Sequence, residues 1–415
     1  MNAPAWVVNE AWPHGPLGRI EGMSGRLIEV VGVFLRLGLT SFGGPVAHLG
    51  FFRETFVRER GWLDERSYAE LVALCQFLPG PTSSQVGFAL GLHRGGVLAG
   101  FCGALAFMLP AAVIMIGFGL GVAATDIADW DVLFQGLKAA AAAVVAWALW
   151  GMARSLCPDL RTGAIAVMGF LVVVVVAGFG GQLGAILLGA VVGGLLLSGR
   201  HGETSATTLR VPLGRRGALV AFGLFVLFLG GLPVLALVSG TTGGSVLDAL
   251  YRSGALVFGG GHVVLPLLQT AVVEPGLIDA DRFLAGYGVA QAMPGPLFTF
   301  GGYIGAVTGG LGLAVAATLT IFLPGFLLVM ALLPLWQQVR DDPRLRRPLA
   351  GVNAAVVGIL AAALWDPVLV HGVTSASDGM IALTALLLLA SGRFPVWLIV
   401  AGCGLAAVLV AAMAH

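Results

Sequence analysis

The chain has 415 residues, of which 58% are hydrophobic and only 10% are charged. A soluble protein carries about 25% charged residues, so the polar surface here is too small for a water-exposed globule. A formal net charge of +1 gives no reason to expect nucleic acid as a partner. The four scattered cysteines have neither metal-ligand spacing nor a pairing pattern. The composition therefore predicts an all-α polytopic membrane protein, with the lipid bilayer as its solvent and without a metal or cofactor.

The chain begins with a short tail, 1–26, which carries charges and prolines and lacks the apolar core of a cleavable signal peptide. An apolar segment, 28–57, follows and is interrupted by the sequence SFGGP at 41–45. The next segment, 66–94, is interrupted by Pro79-Gly80-Pro81. A helix interior disfavours glycine by about 1 kcal/mol and proline by about 3 kcal/mol, so both segments are predicted to break.

Broken backbone is tolerated in a membrane only inside the protein or beside a water-filled cavity. The two breaks therefore predict a shared cavity near the middle of the bilayer. Each broken segment has about 28 residues, which would make one helix of roughly 42 Å. Two half-helices that dip in and return fit this length better than a single crossing, and a steeply tilted broken span is the alternative.

The two broken segments and the helices after them recur in the second half of the chain, at a shift of about 216 residues. Arg36 falls on Arg252, and the Phe-Gly-Gly at 42–44 falls on that at 258–260. Pro79-Gly80-Pro81 falls on Pro294-Gly295-Pro296. Each repeat is predicted to contain the two broken segments and four apolar helices, at 96–122, 132–154, 162–178 and 182–198 and at 311–338, 347–366, 376–391 and 395–413. One further helix, about 217–238, links the repeats.

The charges of the loops predict that the two repeats are inverted. The loop near 126–131 is acidic, whereas its counterpart near 340–347 is rich in arginine. Because positive charge marks cytoplasmic loops, the two loops should lie on opposite sides of the membrane. The predicted domains are a tail (1–26), a first repeat (27–198), a cytoplasmic loop with the linker helix (199–240) and an inverted second repeat (241–415). The N-terminus is then cytoplasmic and the C-terminus is periplasmic.

Helix N-termini at the breaks would offer free N–H groups and a partial positive charge, which together favour an anion. Arg36 and Arg252 precede the two Phe-Gly-Gly breaks by about two turns, and guanidinium groups suit oxyanions and carboxylates. The alternative is that both arginines snorkel or cap carbonyl groups near segment ends.

Other polar residues near the breaks are candidates with open alternatives. Lys138, the only lysine, aligns with Asn353. Three interpretations of Lys138 are open: a second contact to the anion, a titrating coupling group, or a residue at a helix end whose side chain reaches water. Gln76 and Gln291 precede the Pro-Gly-Pro breaks and would contact either the ligand or the broken backbone. His48 is a proton relay or a packed neutral residue. The candidate binding residues are Arg36, Gly43, Gly44, Pro45, His48, Gln76, Pro79, Gly80, Pro81, Thr82, Ser83, Lys138, Arg252, Gly259, Gly260, Gln291, Pro294, Gly295, Pro296 and Asn353.

The sequence FLRLGLTSFGGPVAH with QFLPGP, and the weaker copies GALVFGGGH and QAMPGP, resemble the chromate ion transporter family in its long, two-domain form. The resemblance covers nearly the whole chain. It implies export of chromate from the bacterial cytoplasm across the inner membrane, use of the proton-motive force, and sulfate as the chemical relative of the substrate. The second repeat departs from the motif, because Gly261 replaces the proline of FGGP and Val264 stands opposite His48.

Three other functions compete with chromate export by alternating access. A sulfate or general oxyanion carrier and a passive anion channel are both compatible with the residues. An intramembrane enzyme is disfavoured, because the chain has no HExxH motif and no paired intramembrane aspartates. Protons are expected as the coupling ion, although the sequence offers no clear carrier beyond Glu70. A homodimer is left open, since no residue argues for one.

Overall fold

A computed structural model describes residues 23–42, 44–124, 131–176, 178–197, 214–258, 264–335 and 343–414. All regular structure within these ranges is helical. Six of the described helices are long and apolar enough to cross a membrane, and four shorter apolar helices accompany them. The chain is therefore an all-α polytopic membrane protein, as its composition predicts.

The described helices follow the order expected from the sequence. Those of the first half are α1 (Met23–Thr40), α2 (Gly44–Phe52), α3 (Glu65–Phe77), α4 (Thr82–Ala124), α5 (Asp131–Leu156), α6 (Leu160–Val175) and α7 (Phe179–Leu196). Helix α8 (Arg215–Ser239) is the linker. Those of the second half are α9 (Thr242–Leu256), α10 (Val264–Leu268), α11 (Ala280–Ala292), α12 (Phe300–Leu332), α13 (Pro343–Ala363), α14 (Ala376–Ser391) and α15 (Val396–Ala414).

Helices α4 and α12 each contain a tight turn between two antiparallel halves. In α4 the turn lies at Gly95 and Gly96, where Gly96 has a φ of +80°. A Cβ on Gly91 would lie 2.9 Å from the Cα of Gly100, so the two halves pack backbone against backbone. In α12 the turn at 309–310 has the same backbone conformation. The two turns thus lie at the predicted ends of the Pro-Gly-Pro segments, which are residues 94 and 309.

The ends of both broken segments of the first half lie close together. Glu29, near the start of α1, accepts hydrogen bonds from Arg60 at 3.1 Å and from Arg94 at 2.8 Å. Arg60 follows α2 and its π-helical extension, and Arg94 ends the first half of α4. The guanidinium of Arg94 also lies over the ring of Trp62, 5.2 Å from its centre. The start and the end of each segment thus lie close together, which is the arrangement expected of a re-entrant hairpin.

Matching helix caps occur at equivalent positions of the two halves. Asp64 caps α3 by accepting from the Ser67 N–H at 2.7 Å, and Asp279 caps α11 in the same way at 2.8 Å. A capping box starts α6 at Asp159, and another starts α14 at Ser375. Such caps satisfy N–H groups that have no partner within the helix. They support an internal repeat. The inverted orientation of the repeats and the domain boundaries stay predictions.

Within each half, two helices pack closely at a glycine, and helices of the two halves then pack on each other. In the first half, Gly38 of α1 lies against the carbonyl of Phe107 in α4; in the second, Gly254 of α9 lies against the carbonyl of Ile321 in α12. Helices α4 and α12 then pack on each other, and Phe88 stacks on Phe326 at 4.6 Å. Helix α13 of the second half packs on α6 and α7 of the first. The core is therefore shared between the halves.

Replacing Gly254 by alanine should lower the stability of the protein, because the new Cβ would overlap the carbonyl oxygen of Ile321 and lie 3.1 Å from Pro324. Overpacking of this kind costs about 1–3 kcal/mol. Gly223 in α8 supplies the matched control, since a Cβ added there would have nothing within 4 Å. Thermal unfolding in detergent should fall for Gly254→Ala and stay the same or rise for Gly223→Ala; equal melting of the two variants would contradict this packing.

Candidate functional site

The two Pro-Gly-Pro loops and the two Phe-Gly-Gly breaks exchange backbone hydrogen bonds between the halves. The Gly80 N–H donates to the carbonyl of Val257 at 2.7 Å, and the Gly295 N–H donates to the carbonyl of Ser41 at 2.9 Å. Each loop thereby satisfies a carbonyl at the break of the other half. The broken backbone of one repeat is completed by the other, so the two repeats meet at their breaks.

The first half of α4 begins at this interface with four consecutive buried polar residues. Thr82, Ser83, Ser84 and Gln85 are exposed by 8%, 3%, 2% and 0%. The first N–H groups of a helix have no partner within it, and they carry the positive end of the helix dipole. This N-terminus is therefore a favourable position for an anion.

His48 of α2 lies beside this N-terminus and is 1% exposed. Its Nε2 lies 3.0 Å from the carbonyl oxygen of Ser41, and its Nδ1 lies 3.3 Å from the Oγ of Ser83. A carbonyl can only accept, so Nε2 carries the proton in the neutral ring. Nδ1 then accepts from the Ser83 hydroxyl. The edge of the ring packs against Phe107, with the ring centres 5.4 Å apart.

Three buried polar atoms at the first break and at the start of α4 have no hydrogen-bond partner among the described residues: the Oγ of Ser41, the Oγ of Ser84 and the Oε1 of Gln85. The Nε2 of Gln85 donates to the carbonyls of Pro79 at 2.9 Å and Gly325 at 3.3 Å, which fixes its amide orientation. A buried polar group without a partner costs about 1–3 kcal/mol, so each of these hydroxyls is a candidate contact for a ligand or an ordered water. We call Ser41, His48, Ser83, Ser84 and Gln85 the polar centre.

The polar centre belongs to one repeat only. The equivalent positions of the second repeat are Val257, Val264, Phe298, Thr299 and Phe300. All five are buried. The one hydroxyl among them, on Thr299, donates to the carbonyl of Pro296 at 2.9 Å. The fold thus repeats its backbone breaks but provides polar side chains for a single anion position.

The cations predicted to bind the anion lie on helices α1, α9 and α5. Arg36 is exposed on α1. Arg252 forms an ion pair with Asp248, one turn earlier on α9. Lys138 is buried and donates to Asp281 of α11 at 2.9 Å. Its counterpart Asn353 has a buried Oδ1 that lacks a hydrogen-bond partner in the described part of the chain. A role for these four residues in anion binding stays a prediction.

The remaining predicted residues fall into three groups. Pro79, Gly80, Pro81, Thr82 and Ser83 line the loop and helix start beside His48, and Pro294, Gly295 and Pro296 form the equivalent loop. Gly44 and Pro45 start α2, whereas Gln76 is exposed and Gln291 is half-buried. Gly43, Gly259 and Gly260 lie outside the described residues.

Sequence reasoning missed three residues that the structure places at buried positions, whereas Ser84 was considered with Thr82 and Ser83 as an oxyanion contact or a helix cap. Ser41 was missed because a hydroxyl beside a break is a typical helix cap, and Gln85 was missed because Gln76 is the glutamine that precedes the break. The third, Asp248, is 5% exposed, and its Oδ1 has no hydrogen-bond partner in the described ranges. The spacing of Asp248 and Arg252, four residues apart in an apolar helix, is the signal that could have found it.

The Lys138–Asp281 ion pair joins the two halves and gives a direct test of their contact. The Lys138 side chain is 8% exposed and that of Asp281 is 53% exposed. Asp281→Asn should therefore cost about 1–3 kcal/mol, because it leaves a buried ammonium without its partner. Lys138→Met should cost less, since water still reaches Asp281, and adding it to Asp281→Asn should restore thermal stability. Additive losses in the double variant would contradict a direct pairing.

Long apolar helices, backbone breaks that the two halves complete for each other, and a buried polar centre are together typical of a membrane transport protein. The particular family follows from comparison with known proteins. The family model described as "Chromate transporter" matches residues 28–196 and 244–408, which together exceed half of the chain. The chain belongs to the chromate transporter family.

Individual relatives cover most of the chain. The chromate transport protein of Pseudomonas aeruginosa is 29% identical over 350 residues, which are 80% of this chain and 79% of that protein. The probable chromate transport protein of Synechococcus elongatus is 28% identical over 343 residues, which are 81% and 84% of the two chains. An uncharacterized transporter of Methanocaldococcus jannaschii is 26% identical over 336 residues, which are 79% of this chain and 81% of that protein. No solved structure matches this chain significantly.

Proposed function

We propose that the protein exports chromate across the bacterial inner membrane, by alternating access and at the expense of the proton-motive force, and so gives resistance to chromate. Two of the relatives are named for chromate transport, and the long apolar helices make the chain a multi-pass membrane protein. The orientation of the termini, with the N-terminus cytoplasmic and the C-terminus periplasmic, is part of this proposal and rests on the charges of the loops.

The observation that carries the proposal is the unsatisfied polar centre at the N-terminus of α4. Chromate is a tetrahedral dianion with four acceptor oxygens. The Ser41 and Ser84 hydroxyls are buried donors whose own partners are missing in the described structure. The free N–H groups of Thr82 and Ser83 add donors from the helix end. These groups would bind an oxyanion through directed hydrogen bonds and the helix dipole.

Alternating access would use the exchanged backbone bonds at Gly80 and Gly295. These two bonds connect the repeats at their breaks. If one repeat rocks against the other, breaking one bond opens the centre to one side while the second bond keeps the other side closed. Sulfate has the same shape and charge as chromate, so a general oxyanion carrier is the second candidate function.

The proposal is tested by transport with purified protein in liposomes. Labelled chromate should move against its gradient when a proton gradient or a membrane potential is imposed, and unlabelled chromate should compete better than sulfate. Stronger competition by sulfate would assign a general oxyanion carrier. Chromate movement that is only downhill, without counterflow, would assign a channel. Arg36→Gln and Arg252→Gln, assayed in parallel, test the predicted contribution of the two arginines.

A further inference from the structure

The carbonyl of Ser41 accepts two hydrogen bonds, one from each side of the interface between the halves. The Nε2–H of His48 donates to it at 3.0 Å, and the Gly295 N–H of the second half donates to it at 2.9 Å. Any movement that separates Gly295 from Ser41 leaves that carbonyl to His48 alone. The histidine is therefore attached to the contact that must open during transport.

The other ring nitrogen of His48 faces the anion position through Ser83. In the neutral ring, Nδ1 accepts the Ser83 hydroxyl proton across 3.3 Å, so this proton is not available to a ligand. When Nδ1 takes up a proton from water, it becomes a donor to the Ser83 Oγ. The Ser83 hydroxyl then turns its own proton away from the ring, toward the N-terminus of α4. Protonation thus adds one positive charge and one hydrogen-bond donor to the polar centre.

We propose that His48 is the proton-binding group of the transport cycle and that it binds its proton together with the anion. This inference rests on the proposed function. It names the site and sense of the coupling, which neither the family model nor the relatives' names give. A dianion and one proton carry a net charge of −1 together. The membrane potential, negative inside, drives this net charge outward and is the component of the proton-motive force that drives export, since the accompanying proton moves against the pH gradient. In an antiporter, proton and anion would instead compete for the site.

His48 is the histidine at this interface within the described residues. Of the groups packed on α2, Tyr68 of α3 donates its hydroxyl proton to the carbonyl of Leu49 at 2.6 Å, and the charged residues that follow α2 begin at Arg53, which pairs with Glu65. Helix α2 carries no charged residue, and the stretch 82–91 of α4 carries none either. Helix α1 contributes Arg36, which is exposed, and Phe107 packs against the ring without charge. At the second exchange contact, between Gly80 and Val257, the position equivalent to His48 is Val264. Within the described residues, the contact at Ser41 is therefore the one with a histidine beside it, and His262 near the second contact lies outside the described residues.

The test is calorimetric titration of purified protein with chromate at mildly alkaline pH, where free chromate is the dianion. Buffers with different ionisation enthalpies report the protons taken up on binding. The wild type should take up close to one proton per anion, and its affinity should rise as the pH falls, by at most about tenfold per pH unit. His48→Gln should bind chromate without proton uptake. Proton release by the wild type would show competition and overturn the proposal.

Two further variants distinguish His48 from a different proton-binding group. Ser83→Ala keeps the His48 ring but removes the hydroxyl that connects the ring to the anion position, so this variant should take up fewer protons on binding chromate. The measurement is informative even if His48→Gln does not fold. Asp248→Asn removes the buried carboxylate of the Arg252 ion pair and should retain wild-type proton uptake. Loss of uptake in Asp248→Asn with full uptake in His48→Gln or Ser83→Ala would overturn the assignment. Absence of chromate binding to the wild type would instead refute the proposed function.

Discussion

Replacing Ser84 by alanine is expected to lower chromate transport at least about tenfold, while the variant still inserts and unfolds at the temperature of the wild type. The Ser84 hydroxyl is buried and has no hydrogen-bond partner in the described structure, so removing it breaks no internal bond. A hydrogen bond to a charged group contributes about 1.5–3 kcal/mol. Because about 1.4 kcal/mol corresponds to a tenfold change, the loss should appear as weaker binding. The measurement is initial chromate uptake into proteoliposomes over a range of concentrations.

Thr299→Val supplies the matched control for Ser84→Ala. Thr299 occupies the equivalent position of the second repeat and is equally buried, but its hydroxyl already donates to the carbonyl of Pro296 at 2.9 Å. Its removal should lower the thermal stability by about 1 kcal/mol and leave the apparent affinity for chromate unchanged. A similar loss of affinity in both variants would contradict a polar centre confined to the first repeat.

The helical breaks were predictable from the sequence because their causes are local. Glycine and proline carry conformational restrictions that do not depend on the partner, so the Phe-Gly-Gly and Pro-Gly-Pro motifs mark interruptions wherever they occur. The predicted ends of the Pro-Gly-Pro segments at 94 and 309 adjoin the observed turns at 95–96 and 309–310 for the same reason. The length of the broken segments also favoured hairpins over single crossings. The structure adds the ion pairs of Glu29, which bring the ends of the segments together.

The pairing of distant residues was not predictable in the same way. The bond from Gly80 to Val257 and that from Gln85 to Gly325 connect positions in different halves, and no local pattern specifies them. The partners of the intramembrane cations were also not predictable from the sequence. Lys138 is isolated in the sequence, and only the packing of α11 on α5 brings Asp281 to it. A sequence reveals that an intramembrane charge exists but not which opposite charge pairs with it.

The asymmetry of the polar centre has a mechanistic consequence for a repeated fold. Under the proposed alternating access, equivalent backbone breaks would let the two halves move in equivalent ways, so that each side of the membrane would be closed by the same kind of contact. Polar side chains in both halves would create two adjacent anion positions, whose like charges would repel. Buried apolar residues at the second set of positions, including Val264 and Phe298, would avoid this repulsion and leave one position for both proposed access states.

Gly80→Ala is expected to reduce chromate transport to background and to destabilise the protein. Gly80 has a φ of +128°, a conformation that costs a residue with a side chain about 1–3 kcal/mol. A Cβ would also lie 2.7 Å from the Nε2 of Gln85 and 3.1 Å from the Cα of Gly325. The amide can move only by giving up its bonds to the loop and to α12, and the backbone at Gly325 is fixed by its helix. The Pro-Gly-Pro loop must therefore shift away from Val257, which breaks the exchanged bond.

Gly295→Ala is the matched comparison, because Gly295 occupies the equivalent position and has a φ of +89°. Its Cβ would meet its nearest neighbours at 3.4 Å, an ordinary contact distance, so this variant carries the backbone cost without the steric one. Thermal unfolding and chromate uptake should both fall less than in Gly80→Ala. If Gly295→Ala were the more damaged of the two, the contact between the Gly80 loop and Gln85 could not be what holds the loop in place. The greater damage would then come from the Ser41 carbonyl, which accepts hydrogen bonds from both Gly295 and His48.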